Sequence, residues 1–402
     1  MTAANARSRW LPVVALTAGT LWTVTAELLP AGLLLDIGSD TGVAAGTVGY
    51  LVTAWGLAIA ILSLPLARLT RRVDRRTVLV AALAGTGSAT VLTALAPTYP
   101  LLVVARTLAA AGHGLFWALV VVAAGSLVEE RYVARAVAVV VAGPTIASVV
   151  VIPAATALGD AAGWRVAFAL VGLMTVVTGL LLGPLLPRMT PVPVPRGRRD
   201  PSAVATVRVA ALGGVLLVAH FMAFTFVAPI LTGPGALPRS LVSVVLLVFG
   251  GAGVVGLVGA PALVRRHPSW ALPITGMLLA LALLAVGLAG GSRPAELVAV
   301  VAWGIAIGAL PVVFQTRLLA LASPAFRPTA GAVMVVALNL GVAAGAAAGG
   351  VLDGRAGAGP LPFVGAALAA AAVLGLVTLD RSDRAVGPPH ERASGEPARA
   401  TA

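Results

Sequence analysis

Twelve apolar runs of roughly 20 residues or more recur along this 402-residue chain, near 11–34, 46–68, 77–96, 101–126, 133–158, 164–187, 206–231, 241–264, 270–290, 295–319, 328–351 and 360–379. A run of that length crosses a hydrocarbon core of ~30 Å as a helix. Lipid offers the backbone no hydrogen bonds, so a spanning segment must satisfy its own peptide groups. The charged fraction is 10% and the hydrophobic fraction 59%, whereas soluble domains carry roughly a quarter charged residues. The expected fold class is an all-α polytopic membrane protein with twelve transmembrane helices. Proline, glycine and charge punctuate the runs, as in "APTYP", "TGPGALPRS" and "RRHPS". Between 133 and 187 the only punctuation is "GDAAGWR". The first run is longer than a signal-peptide core and lacks a clean cleavage site, so it is expected to remain as a span.

The net charge is +13, and all 27 basic residues are arginine. With the amino terminus inside, the inner segments hold 22 of them. The outer loops then hold four, Arg165, Arg239, Arg293 and Arg355, and Arg106 remains within a span. This bias places both termini in the cytoplasm and explains the basic composition by topology rather than by nucleic-acid binding. The Arg-only, Ala-, Gly-, Val- and Leu-heavy composition points to a high-G+C bacterial source, hence to a bacterial inner membrane. Six runs precede and six follow the basic, Pro-rich segment "RMTPVPVPRGRRDPSAV". The expected organisation is a six-helix half over 1–187, a cytoplasmic linker over 188–205, a second six-helix half over 206–380 and a disordered tail over 381–402. Twelve spans enclose a cavity without a second copy, so a monomer is expected. Cysteine is absent, and the sequence carries no P-loop, HExxH or GxSxG pattern. An enzyme, an ATP-driven pump, a metal site and a resident cofactor are not expected.

Of 14 acidic residues, Glu27 in "LWTVTAELLPAGLLL" alone lies well inside a run. A charge at mid-bilayer costs roughly 2.5–3.5 kcal/mol on insertion scales, and such groups face a bundle interior or a water-filled path. A carboxyl there can load and release a proton; a neutral, structurally hydrogen-bonded acid is the alternative. In the fourth run, Arg106, His113 and Trp117 stand seven and four residues apart, on one helix face. At 1.5 Å per residue, Glu27 lies roughly 10 Å from the outer end of the first run and Arg106 roughly 8 Å from that of the fourth. The two are expected to share a depth and to pair. His113 is expected about 10 Å deeper, as a relay or as a packing histidine. The seventh run holds His220, Phe221, Phe224, Thr225 and Phe226. Aromatic walls with a few polar groups suit an amphiphilic small molecule, and simple packing is the alternative. Pro229 is expected to loosen that helix near its outer end. Gln315 and Asn339 are buried-amide candidates, and "GVAAGAAAGG" at 341–350 favours close helix contact.

Several of these stretches resemble the major facilitator superfamily. "ARLTRRVDRR" at 67–76 is similar to that superfamily's loop between helices two and three, roughly G-x-L-x-D-R-x-G-R-R. Leu69, Arg72, Arg75 and Arg76 match, while Ala67, Arg71 and Asp74 replace the first glycine, the acid and the second glycine. "RTLAAAGHG" resembles the helix-four motif through Arg106 and Gly112, in which the arginine is the proton-coupling partner. "GPTIASVVVIPAAT" stands where the antiporter helix-five motif is expected, with Gly143 and Pro153 fitting it. "TAELLPAGLL", "AAGHGLFWA", "GWRVAF", "AHFMAFTFVAPIL", "PVVFQTRLL" and "LNLGVAAGAAAGG" together resemble the sugar-efflux and chloramphenicol-resistance branch of drug:H⁺ antiporters. The resemblance implies two six-helix halves with helices one, four, seven and ten around a central cavity. It also implies alternating access, with Asp74, Arg72, Arg75, Arg76, Gly143 and Pro153 in conformational gating.

The expected function is proton-coupled export of a small amphiphilic compound. Glu27, Arg106 and His113 would couple protons, and Trp117, His220, Phe221, Phe224, Gln315 and Asn339 would bind substrate. Partners would be the substrate, protons and the lipid bilayer. A proton-coupled importer of a sugar or other nutrient is the rival on the same fold, and a non-transporting membrane sensor or scaffold is the rival from another class.

Overall fold

The computed structural model of the chain describes residues 3–189, 200–233, 237–289, 292–323 and 326–386. Residues 190–199 of the expected linker and 387–402 of the expected tail lie outside the described residues. Among the described residues, twelve helices are long and apolar enough to span a membrane. They are α1 (Trp10–Gly32), α2 (Ala45–Leu69), α3 (Arg75–Leu95), α4 (Tyr99–Ser126), α5 (Glu130–Ala162), α6 (Trp164–Leu185), α7 (Ala203–Phe224), α8 (Arg239–Arg266), α9 (Ala271–Leu288), α10 (Arg293–Leu321), α11 (Thr329–Ala356) and α12 (Leu361–Leu379). The last helix continues to Val386. Pro100 and Pro294 fall in first turns, where the missing N–H has no intrahelical acceptor to lose. Only Gly163 separates α5 from α6; its φ of 94° needs a residue without a Cβ. The seventh run is broken at Thr225 and Phe226, and a short helix resumes over Val227–Leu231. Pro229 causes the break, because its ring conflicts with the carbonyl four residues back.

Helix contacts repeat with an offset of six. In the first half α1 packs on α5 and α6, α2 on α4, and α3 on α4 and α6. In the second half α7 packs on α11 and α12, α8 on α10, and α9 on α10 and α12. Two seams join the halves, α2 against α11 and α5 against α8, and the same offset exchanges them. Both seams are glycine crossings. A Cβ on Gly56 of α2 would lie 2.7 Å from the Asn339 carbonyl oxygen of α11, and one on Gly250 of α8 would collide with the Ser148 carbonyl of α5. Small residues let backbones approach this closely.

The bundle has a terminal face, where α1 begins, and an opposite face. Near the opposite face the halves are interlocked. Met222, Phe226 and Leu361 join a core of first-half residues, and Ala31 joins the second-half core. Asp36 and Arg239 form a 3.4 Å ion pair between the halves there. Toward the terminal face, the core around Leu16, Leu79, Phe116 and Val120 contains first-half residues only. Among the described residues, the apolar core is therefore shared between the halves near the opposite face and separate toward the terminal one.

Candidate functional site

The site is built on a proline. Pro30 has no N–H to give the carbonyl of Ala26, four residues back in α1. Arg106 of α4 fills that gap. Its Nη1 donates to the Ala26 carbonyl at 2.5 Å and its Nη2 to the Glu27 carbonyl at 3.0 Å. The side chain is fully buried, with its guanidinium carbon 4.1 Å from the Trp55 ring centroid of α2 and 5.8 Å from that of Phe168 of α6. Carbonyl oxygens and π faces both favour the cation.

The expected Glu27–Arg106 side-chain pair is not formed. The carboxylate faces His113 instead, with Oε2 3.6 Å from Nε2. The expected depth of His113, about 10 Å below Glu27, is corrected by side-chain direction. Helical Cα–Cβ bonds tilt toward the N terminus, and α1 and α4 run antiparallel. Glu27 leans toward the terminal face and His113 toward the opposite one, so two side chains set apart along the axis meet. Glu27 keeps a 14% exposed side chain, the access a proton-exchanging group needs. His113 is wedged between rings, 5.3 Å from Trp55 and 6.2 Å from Trp117, centroid to centroid. Thr53 Oγ1, Trp55 Nε1 and Trp117 Nε1 are buried without a protein partner. Unpaired buried polar atoms are uncommon and cluster where ligands or water act.

The second half holds a related arrangement. His220 of α7 accepts a 3.0 Å hydrogen bond at Nδ1 from Trp303 Nε1 of α10. Phe249 of α8 lies parallel to the imidazole at 6.3 Å, Phe224 stacks at 5.1 Å and Phe221 meets it edge-on at 4.7 Å. Equivalent helices thus supply each cluster, α1, α2 and α4 for Glu27, Trp55 and His113 and α7, α8 and α10 for His220, Phe249 and Trp303. Gln315 is exposed, twelve residues beyond Trp303 and so about 18 Å further along α10 toward the terminal face. Asn339 donates to the Val335 carbonyl of its own helix at 2.9 Å, beside the Gly56 crossing.

The helix-five residues contact α1. Pro144 deprives the Val140 carbonyl of its intrahelical donor, and Thr20 Oγ1 of α1 supplies one at 2.8 Å. Thr17 Oγ1 donates to Val139 at 3.2 Å. A Cβ on Gly143 would collide with Thr20 and the Thr17 carbonyl. Beyond Pro144 the helix widens to a π turn over Ala147–Val151 and resumes with Pro153 in its first turn. At the terminal face Asp74 caps α3, accepting from Arg76 N at 3.0 Å, and accepts from Met189 N beyond α6 at 3.1 Å. These N–H donors, Met189 first, hold its carboxyl below the usual aspartate range. Arg75 N donates to the Met189 carbonyl at 3.4 Å, and Arg72 is exposed. The "GWR" arginine has a structural task. Arg165 donates to the Ala94 and Ala96 carbonyls at 2.9 and 2.7 Å and pairs with Asp40 at 2.8 Å, closing the end of α3.

A sequence profile described as Major Facilitator Superfamily matches residues 13–346. Among solved structures, a D-xylose-proton symporter is similar with a TM-score of 0.74 and 17% identity, over 90% of this chain and 96% of its own. A bacterial homologue of the human lysosomal transporter Spinster, inward-facing and occupied, gives 0.73 and 16% over 94% and 98%. A nucleoside transporter gives 0.72 and 12% over 92% and 99%.

Proposed function

The chain belongs to the Major Facilitator Superfamily, and we propose that it is a proton-coupled transporter that exports a small amphiphilic molecule by alternating access. The observation that carries this reading is Glu27, a partly exposed carboxylate set 3.6 Å from His113 and beside a buried cation committed to the α1 backbone. Arg106 stays put while the carboxylate beside it changes charge. In the proposed cycle Glu27 takes a proton from outside while the cleft faces outward, and the compound leaves. With the cleft facing inward, binding of the next compound favours release of that proton, through His113, to the cytoplasm. Each elementary charge moved across the membrane contributes ~2.3 kcal/mol per 100 mV.

Substrate contacts are assigned to Trp117, His220, Phe221, Phe224, Gln315 and Asn339. The aromatic groups give an apolar wall and the amides orient polar substituents. Gating is assigned to the Arg72–Arg76 loop with Asp74 and to the Gly143–Pro153 segment, whose proline-interrupted helix lies on α1. With both termini in the cytoplasm of a bacterial cell, a core shared between the halves at the opposite face and separate at the terminal face fits an inward-facing state. A single chain suffices for this cycle.

A second reading, import of a sugar or other nutrient, is favoured by the similarity to a D-xylose-proton symporter. Growth of an efflux-deficient host on dyes, antibiotics and sugars selects a compound, and its labelled form in everted vesicles decides direction. Proton-driven accumulation supports export. Proton-driven depletion from preloaded vesicles overturns export and supports import.

A further inference from the structure

At the opposite face, the seam between α2 and α11 ends on an acid. α2 starts there without a cap of its own. Ala44 has the extended backbone of an N-cap, φ −62° and ψ 150°, but no side-chain acceptor. In this first turn Thr47 N and Val48 N both donate to the Ala44 carbonyl, at 2.9 and 3.1 Å. The Gly46 N–H has no intrahelical acceptor, and the Asp353 carboxylate of α11 faces it. A Cβ on Gly46 would lie 3.4 Å from Asp353 Oδ2 and 2.6 Å from the Gly350 carbonyl oxygen, one turn earlier on α11. An acid beside the first N–H groups of a helix is held by the hydrogen bond and by the helix dipole together. Here the helix and its acid belong to different halves.

The other seam has a counterpart. Asp353 stands three residues before the end of α11 and Asp160 two before the end of α5, and the offset of six exchanges these helices. Asp160 has Arg239, at the start of α8, as its opposite charge, and Arg239 also pairs with Asp36. In each seam an acid near the end of one half's fifth helix meets the start of the other half's second helix.

We propose that Asp353 is a latch of the α2–α11 seam, which by capping α2 from the other half holds the two halves together at the opposite face. This role rests on the alternating-access reading and gives it a residue that sets the balance between its two states. A purely structural cap could be supplied equally well from within the first half, by Ala44→Asp; a latch could not.

The chain has no cysteine, so Thr98→Cys and Ser292→Cys, both exposed, take two spin labels, one on each half at the opposite face. Double electron–electron resonance on the full chain in detergent reads the distance between them. The parent should show predominantly a short distance. Asp353→Asn and Asp353→Ala should each add a longer one, raising the ratio of long to short on the order of tenfold. Ala44→Asp added to Asp353→Ala should recover the denaturation midpoint and leave the longer distance in place. Asp74→Asn, at the terminal face, should leave the distances unchanged, which separates release of the seam from general loss of stability. Distances in both Asp353 variants equal to those of the parent, or return of the short distance with Ala44→Asp, would overturn the assignment. The distances are read without compound or pH gradient, so failure of the latch and failure of proton-coupled export are seen in separate measurements.

Discussion

Replacing Arg106 should cost stability through a backbone carbonyl, and restoring an N–H at position 30 should return part of that loss. Arg106→Leu removes two hydrogen bonds from a charged donor to the Ala26 and Glu27 carbonyls, each worth about 1.5–3 kcal/mol. Removing a buried charge also removes its desolvation penalty, so the expected net loss is about 2–4 kcal/mol. Within that loss, the Ala26 carbonyl becomes an orphan, because Pro30 cannot donate to it; an unsatisfied buried acceptor costs about 1–3 kcal/mol. Pro30→Ala supplies the missing donor from within α1. The double variant should therefore be about 1–2 kcal/mol more stable than the sum of the single effects predicts. Unfolding of the four proteins in detergent, followed by tryptophan fluorescence, gives the cycle. Losses that simply add would refute the claim that Arg106 serves the carbonyl freed by Pro30. Arg106→Lys should not rescue, since an ammonium lacks the planar fork that spans two carbonyls.

Thr20→Val keeps the side-chain shape but removes the donor to Val140; about 1–3 kcal/mol of stability should be lost, and an unchanged denaturation midpoint would remove Thr20 from the account of the α5 kink. Asp74→Asn should destabilise the chain near neutral pH. Because the native carboxyl is held low by Met189 and Arg76, its contribution is present above the unfolded pKa of about 3.9 and vanishes as pH falls through the native value. Wild type and variant should therefore begin to converge below about pH 4 in denaturation profiles and meet once pH is under the native value; a gap that stays constant as pH falls through this range points to packing. The chain has no cysteine, so in Asp36→Cys with Arg239→Cys a reducible bifunctional thiol reagent, long enough to replace the two side chains of this ion pair, gives a single cross-link between the halves. Cross-linking should trap the closed opposite face and stop transport, with recovery on reduction; transport by the cross-linked protein would contradict closure at that seam.

The helices were legible because length and apolarity alone decide them in lipid. The contact partners of the polar groups were less so. Glu27, Arg106 and His113 stand out in sequence by charge, yet their pairing depends on which way each side chain leans. The signal that could have placed Arg106 is local: Pro30 stands four residues after Ala26 and frees its carbonyl. Pro144 and Val140 repeat that pattern, and an arginine answers one carbonyl and a threonine the other. Trp55, Phe249 and Trp303 do not stand out in the sequence, because an aromatic residue in an apolar helix carries no mark of its neighbours. Only the packing of α2, α8 and α10 within their halves brings these rings to the histidines. Asp74 departs from the motif it resembles, and its capping of α3 and hold on Met189 are legible only once the end of α6 is placed beside it.

Glu27 is the proposed carrier of the transported proton. Proteoliposomes holding wild type or Glu27→Gln, with a compound chosen by the growth screen, separate coupling from binding. Glu27→Gln should still exchange labelled for unlabelled compound but no longer accumulate it under an imposed pH gradient. Accumulation by Glu27→Gln equal to that of wild type would contradict it.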